Sequence, residues 1–455
     1  MPRPTETIAA LATPTGTSAI AVLRVTGPET TRVAAEIFGE VPPPREVRHT
    51  DYRAKDGKLV DDILVTFFRG PNSYTGEDSL EVSCHGNPYI AQKILEDLFI
   101  RGCRPAHPGE FTQRAFLSGK MDLSQAEAVM DLISARSDQA LAAANQQLRG
   151  ALGKQITSLV DRLLTVQARV EAYIDFPEED LPPEDNQIIA VELDALASDT
   201  KELIATSHYG EMLRDGIKTV IIGAPNVGKS SILNRLVGSE RALVSSEPGT
   251  TRDFIEERIN IGEHLLRIID TAGLNPTPAP LEKLGMEKTV ERAAEADLFL
   301  IVLDPTQKTA ELPEAVLSRL TRENSIIAAN KCDLLTQGAP IEIPEKLRGK
   351  NLPIMLSAKT GAGFDQLKTA FSRFAESERR DFGSGTIAIN ARHAEALRNA
   401  LECMAAAREK LTLEIQIELL ASDIRSALAH FGDVIGKIDN EAMLDRLFAG
   451  FCIGK

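Results

Sequence analysis

The stretch IKTVIIGAPNVGKSSILNRLVG, residues 217–238, constrains the fold of this chain more than any other. A strand-like run over 217–222 leads into Gly223-Ala224-Pro225-Asn226-Val227-Gly228-Lys229-Ser230, and a helical pattern follows through Ser231. This is the phosphate-loop pattern G-x-x-x-x-G-K-[ST] in its strand–loop–helix setting. The glycines let backbone amides curl around phosphates, and Lys229 adds positive charge at the β- and γ-phosphates. Ser230 offers a hydroxyl to magnesium, and the helix N-terminus favours the anion. A chance Gly-rich turn does not account for both flanking elements.

Further motifs select the base. IIAANKCD ends a strand on Asn330-Lys331-Cys332-Asp333. The Asp333 carboxylate can accept from both N1–H and the 2-amino group of guanine. Adenine lacks both donors, and leaving a charged acceptor unpaired is costly, so this position selects GTP over ATP. Ser357-Ala358-Lys359, in LPIMLSAKTG, supplies a loop whose backbone amide can meet the guanine oxygen. Asp270-Thr271-Ala272-Gly273 follows the strand LLRIID, with Asp270 placed to hold magnesium through water and the Gly273 amide to reach the γ-phosphate. In this order and spacing the motifs resemble those of a GTPase domain.

Hydrolysis is less legible. Many small GTPases place a water-orienting glutamine just after this glycine; here the residue is Leu274. Glu282 and Asp253 stand nearby, and spacing alone reads Glu282 as a first-turn helix acid favoured by the dipole. Arg252 adjoins the switch threonines without a sequence sign that it points inward. Asn226 carries a side-chain oxygen that could bind a monovalent cation, which would supply positive charge.

Around this block the texture changes three times. Residues 1 to about 118 mix short β-like runs (SAIAVLRVTG, DDILVTFFRG, SLEVSCHG) with Gly/Pro turns and the helical PYIAQKILEDLFIRG, which predicts an α+β domain. From about 121 an Ala/Leu/Gln-rich stretch predicts one long helix or two broken near Gly150, capped by Asp122 or Ser124. The acidic DFPEEDLPPEDN interrupts it before another helix through VELDALASDTKELIATS. After about 374 and the linker DFGSGTIAIN, helices resume. Helices on both sides of an α/β block predict a helical domain carrying an insertion.

The net charge of −15 argues against a general grip on a long duplex, so RNA contact must use a local basic patch or a partner. No apolar run approaches the roughly 18 residues of a membrane span, and no signal peptide is recognisable. The five cysteines have no metal-ligand spacing, and the expectation is a cytoplasmic protein with free thiols.

PNSYTGEDSLEVSCHG, HPGEFTQRAFLSGKMDLSQAEAVMDLI, GTTRD at 249–253 and the terminal FCIGK resemble signatures of the MnmE (TrmE) family of tRNA-modification GTPases. The resemblance spans the whole chain. It implies a multidomain α/β and α+β protein: an N-terminal tetrahydrofolate-binding and dimerisation domain over 1–118, a helical domain over 119–215 and 379–455, and an inserted Ras-like P-loop GTPase domain over 216–378. It implies a homodimer working on tRNA with an FAD-containing MnmG-type partner, in a heterotetramer or larger assembly. The reaction implied adds a carboxymethylaminomethyl or aminomethyl group to C5 of the wobble uridine, with a 5-formyl- or 5,10-methylene-tetrahydrofolate as one-carbon source. By the same resemblance Arg24, Glu81, Lys120 and Lys455 contact folate. Ser230 and Thr251 hold magnesium, while Asn226, Ser245, Glu247 and Thr250 surround potassium. Ser245, Thr250 and Thr251 line the GTP site, and Glu282 orients water. Two departures stand out: the proline-rich NPTPAP before Glu282, and Glu247-Pro248 within VSSEPGTT. Contacts made by backbone carbonyls would tolerate the second.

Cys452 has three readings. A prenyl anchor fails, because Ile453-Gly454-Lys455 is not an aliphatic box and the upstream DNEAMLDRLFAG is not basic. A site-lining thiol, activated by Lys455, competes with a small buried apolar residue between Phe451 and Ile453; covalent catalysis stays open. The other four cysteines read as structural. The rival function is a ribosome-assembly GTPase acting as an RNA-binding switch, which would normally append a basic RNA-binding domain or a second GTPase block. Folate binding separates the two.

Overall fold

The computed structural model describes residues 6–175, 183–240, 256–270, 295–307, 312, 314–335, 347, 351–380, 387–413, 417–436 and 447–454. The chain divides into two compact units. One comprises Met1–Met130, Gln147–Glu192 and Glu402–Lys455; the other comprises Asp131–Gln146 and Leu193–Leu401.

In the first unit, β1 (Ile8–Leu11), β2 (Ile20–Thr26), β3 (Val47–Arg53), β4 (Leu59–Phe68), β5 (Ser79–His85) and β6 (Arg104–Pro105) form a sheet of order β3-β4-β5-β2-β1-β6. All pairings are antiparallel except β1 with β6. Such a sheet can treat its two faces differently, and the sequence alternates accordingly. Ala21, Leu23 and Val25 of β2, with Leu80 and Val82 of β5, pack into a core under α1 (Thr30–Phe38) and α2 (Pro88–Ile100). Asn87 caps α2 by accepting from the Tyr89 amide at 2.9 Å, and Pro88 stands in its first turn, where its missing N–H costs nothing.

The other face carries Arg24 and Thr26 of β2 and Glu81 of β5, and α3 (Glu110–Leu117) brings Arg114 to the same unit. Arg114 is fully buried, and it donates to Glu77 at 3.1 Å, Glu110 at 2.8 Å and the Glu6 carbonyl at 2.8 Å. Glu110 also takes both Nη groups of Arg104. Burial alone would push the Glu110 carboxyl up, but the two guanidiniums and the His107 amide hold it below the ordinary range.

The Ala/Leu/Gln-rich stretch is three helices rather than one or two: α4 (Leu123–Ser134), α5 (Asp138–Leu148) and α6 (Ala151–Asp175). Asp122 is the cap of α4, accepting from the Gln125 amide at 2.9 Å while Gln125 reaches back to the Asp122 amide at 2.9 Å. The two bonds form a capping box. A break near Gly150 is present, where φ is 77°. The additional break, at 135–137, has no Gly or Pro. Ser137 instead offers its Oγ to the Ala140 amide at 3.2 Å and opens α5 as an N-cap. Helix α7 (Pro183–Ala205) begins inside the acidic interruption, with a proline at its start; α8 (Ser207–Asp215) follows.

The second unit holds β7 (Ile217–Ile222), α9 (Lys229–Glu240), β8 (Glu256–Ile261), β9 (His264–Asp270), β10 (Leu298–Leu303), the short α10 (Glu314–Leu317), β11 (Ser325–Ala329), β12 (Ile354–Met355) and α11 (Phe364–Arg380). Its sheet runs β12-β11-β10-β7-β9-β8, parallel throughout except for β8. A parallel strand covered on both faces should read as an unbroken apolar run, and LFLIVL of β10 is buried at all six positions. The chain leaves β7 toward β9 on one side and later returns to β10 on the other. Open α/β sheets bind ligands at that kind of switch point, outside the carboxyl ends of the strands. Helices α12 (Ala391–Thr412) and α13 (Ile417–Ile435) follow, and α13 packs along α6. The fold class expected from the sequence, a multidomain α/β and α+β protein, is borne out. No helix among the described residues is long and apolar enough to cross a membrane.

Replacing Arg114 by Met would leave the buried Glu110 and the half-buried Glu77 with fewer partners. The expected loss is about 3 kcal/mol, read as a lowered midpoint for unfolding of the first unit in urea.

Candidate functional site

The loop between β7 and α9 is built to present amides. Asn226 has φ of 63° and Gly228 φ of 99°, both left-handed, and the first is uncommon for a residue with a side chain. Glycine at 228 is also a matter of space: a Cβ there would lie 2.2 Å from Nδ2 of Asn330. Lys229 is buried, and its ammonium donates to the Gly223 and Ala224 carbonyls at 2.8 Å each, spanning the loop. Ser230 and Ser231 are exposed in the first turn of α9.

Asn330, nearly fully buried, ties this loop to the next. Its Nδ2 donates to the Val227 carbonyl at 2.8 Å, and its Oδ1 accepts from the Ala358 amide at 2.9 Å. Its role is to join two loops. Lys331, left-handed at φ 64°, donates to the Asn226 carbonyl at 2.9 Å and to Asp304 at 2.7 Å. Asp333 is exposed, with Oδ1 accepting from the Ser357 hydroxyl at 2.6 Å. Among the described residues its Oδ2 has no partner, which leaves a fixed carboxylate edge at the mouth of the loop.

Sequence reasoning missed Asp304. Burial pushes its carboxyl up, but the Lys331 ammonium and the Thr306 hydroxyl and amide together hold it below the usual range. It therefore remains an anion that fixes Lys331. The signal was present: a lone acid directly follows a six-residue apolar strand, at the end of the sheet where ligands bind.

In the first unit a second cluster forms. Arg24 and Glu81 face each other in register across β2 and β5. The guanidinium gives Nε at 2.9 Å and Nη2 at 2.7 Å to the same oxygen, Oε1 of Glu81. Among the described residues Oε2 of Glu81 is thus left for another donor. Arg24 also lies over the rings of Tyr74 and Phe111, at 5.4 and 5.7 Å, and donates to the Gly454 carbonyl at 3.4 Å. Gly454 needs its lack of a side chain, since a Cβ would sit 2.4 Å from the Leu11 carbonyl. Upstream, the rings of Phe448 and Phe451 meet at a 56° tilt with centroids 5.0 Å apart, and the Gly109 amide donates to the Cys452 carbonyl at 3.3 Å. Lys120 donates to the Pro71 carbonyl at 2.7 Å, and among the described residues no hydrogen bond or ion pair joins it to the Arg24–Glu81 pair. The side chain of Cys452 is exposed, which removes its reading as a buried apolar residue. Burial pushes the Cys84 and Cys103 thiols up to about 11, so both stay protonated at neutral pH.

Two family profiles match the chain. One, described as "GTP-binding protein TrmE N-terminus", covers residues 7–120. The other, "MnmE helical domain", covers residues 123–452. The chain belongs to the MnmE family. It is 56% identical over 455 residues to the tRNA modification GTPase MnmE of Opitutus terrae, covering 100% of both chains. It is 41% identical to the protein of the same name from Akkermansia muciniphila, again over 100% of both. A solved structure, the G domain of the T. maritima FeoB iron transporter, is 25% identical over 35% of this chain and 98% of its own, at a TM-score of 0.24.

Several residues that the MnmE resemblance singles out lie outside the described residues: Ser245, Glu247, Thr250, Thr251, Thr271, Ala272, Gly273, Glu282 and Lys455. The backbone of Asp270 is described, paired with Ile221 of β7, but not its side chain.

Asn330→Ala would leave the Val227 carbonyl and Ala358 amide without their shared partner. The expected result is a roughly tenfold loss of GDP affinity in a titration, with destabilisation of about 2 kcal/mol.

Proposed function

We propose that this chain is a GTP-hydrolysing tRNA-modification enzyme. Together with an FAD-containing MnmG-type partner, it adds a carboxymethylaminomethyl or aminomethyl group to C5 of the wobble uridine of certain tRNAs. Its family membership supports the coarser statement, a tRNA modification GTPase, since its full-length relatives carry that name. The observation that carries GTP in particular is the Asn330–Asp333–Ser357 assembly beside the phosphate loop.

In this reading the amides of 226–231 and the Lys229 ammonium hold the phosphates. Asp333 accepts from the guanine edge, and a backbone amide of the Ser357–Lys359 loop meets the guanine oxygen. Ser230 and Thr251 hold magnesium, with Asp270 reaching it through water. The exposed Ser230 at the start of α9 fits that role. Asn226, held left-handed at the loop mouth, fits potassium together with Ser245, Glu247 and Thr250. These ions would supply positive charge at the phosphates. Glu282 orients the attacking water, and Thr271, Ala272 and Gly273 line the γ-phosphate side.

The N-terminal cluster takes a tetrahydrofolate, as the 5-formyl or 5,10-methylene form, which would supply the one-carbon unit. The open Oε2 of Glu81 suits a pterin's amino-pyrimidine edge. Arg24, Lys120 and Lys455 would neutralise the glutamate tail, and Cys452 lines the site with its thiol exposed. The domain limits at 118, 215 and 378, the homodimer formed through residues 1–118, and a cytoplasmic location belong to the same proposal.

Two measurements test it. In the same reading the two GTPase domains of the homodimer pair, with potassium's help, for hydrolysis. GTP turnover should therefore be faster in potassium than in sodium and rise with protein concentration; turnover insensitive to both would remove that pairing. In calorimetry, 5-formyltetrahydrofolate should bind the native chain and bind Glu81→Ala at least roughly tenfold more weakly, as expected when charged hydrogen bonds are lost. Equal binding would dismiss the folate site.

A further inference from the structure

Arg235 belongs to none of the phosphate or base motifs. It lies on the exposed side of α9, six residues past Lys229. Its guanidinium nevertheless reaches three successive backbone carbonyls of the turn after β12. Nη1 donates to Ala358 at 3.0 Å and Lys359 at 3.1 Å, and Nη2 donates to Thr360 at 3.1 Å. Its Cζ lies 5.6 Å from the centre of the Phe364 ring. A planar fork of donors can span converging carbonyls in this way, whereas an ammonium is a point charge. Gly361 closes the turn at φ 92°, and a Cβ there would come within 2.3 Å of Nη2. The arginine fills the space that glycine leaves.

The consequence follows from peptide geometry. In a trans peptide the C=O and the next N–H point in opposite directions. Drawing the Ala358 carbonyl toward α9 therefore turns the Lys359 amide away from it. The neighbouring amides are engaged: Ala358 with Asn330 Oδ1, Thr360 with Ser357 Oγ, and Gly361 with the Ser357 carbonyl. Among the described residues the Lys359 amide has no protein acceptor. We infer that Arg235 is a positioning residue for guanine recognition, fixing the peptide plane that presents the Lys359 amide to the carbonyl oxygen of the base. The inference deepens the proposed GTP site and rests on the reading of Ser357–Lys359 as the base loop.

The test uses the full chain with Arg235→Ala, Arg235→Lys and Asp333→Asn, and competition of GDP, XDP and 2-aminopurine riboside diphosphate against a fluorescent GDP. The 2-aminopurine base lacks the carbonyl oxygen. Arg235→Ala should weaken GDP about tenfold, as expected for lost charged hydrogen bonds, and weaken the 2-aminopurine analogue less than about threefold, since the contact in question is absent there. KM for GTP should rise with the GDP constant, while kcat at saturation falls less than about threefold. Arg235→Lys should restore little. Equal losses on both nucleotides, or an unchanged GDP constant, would overturn the role of Arg235. Asp333→Asn keeps the two failures apart. It should move preference from GDP to XDP, because the side-chain amide now donates to the extra oxygen of xanthine. If that switch occurs while Arg235→Ala has no effect, only the Arg235 assignment falls; if the switch itself is absent, the base-site reading falls and takes this inference with it.

Discussion

One carboxamide organises the carboxyl-terminal edge of the sheet in the second unit. Asn330 sits at the carboxyl end of β11 and bonds to the phosphate loop with one atom and to the base loop with the other. The first bond is buried and the second partly so, so moving either loop away would leave a polar group short of its partner, at a cost of about 1–3 kcal/mol. Gly228 is glycine because Asn330 needs that approach. Lys331 and Asp333, on either side of Cys332, inherit their positions from the same strand end. Asp304 and Ser357 then fix their charges. The loops at 223–230 and 357–359 are thus joined through Asn330, with Lys331 and Arg235 adding further ties to each.

The N-terminal sheet reaches its arrangement by a different route. Its alternation puts Leu23 and Val25 in the core and Arg24 between them on the opposite face, directly across from Glu81. That pairing is a matter of register: a slip of one residue in either strand would turn its charge into the apolar layer and part the pair. Because both Arg24 donors converge on a single oxygen, the pair keeps an unused acceptor edge. Nearby, the buried Arg114 and Glu110, the half-buried Glu77 and Arg104 make a polar floor of two guanidiniums and two carboxylates whose charges balance.

Much of this was legible in the sequence, and the remainder was not for identifiable reasons. The strand–loop–helix signal at 217–238 is local, since it depends on residues adjacent in the chain. The parallel core was readable in LFLIVL because burial on both faces demands an unbroken apolar run. The break at Ser137 was invisible because a serine cap looks like any helix serine until its amide partner is known. Arg235 was invisible for a stronger reason: its partners are backbone carbonyls 123 to 125 residues away, and carbonyls carry no sequence identity. By residue type alone Arg24 and Glu81 read as solvent-facing charges, and only the strand register joins them.

The contact between Arg24 and Gly454 spans 430 positions. During synthesis, Arg24 and the sheet that carries it leave the ribosome long before Gly454 is made. At about 5–20 residues per second, the interval is roughly 20 to 90 s. Through that time the nascent N-terminal sheet has its ion pair but lacks the tail segment that lies against β1. The contacts of Arg24 are therefore completed by a segment translated 430 residues later, and a protein stalled or cut short before that segment would carry the sheet without them.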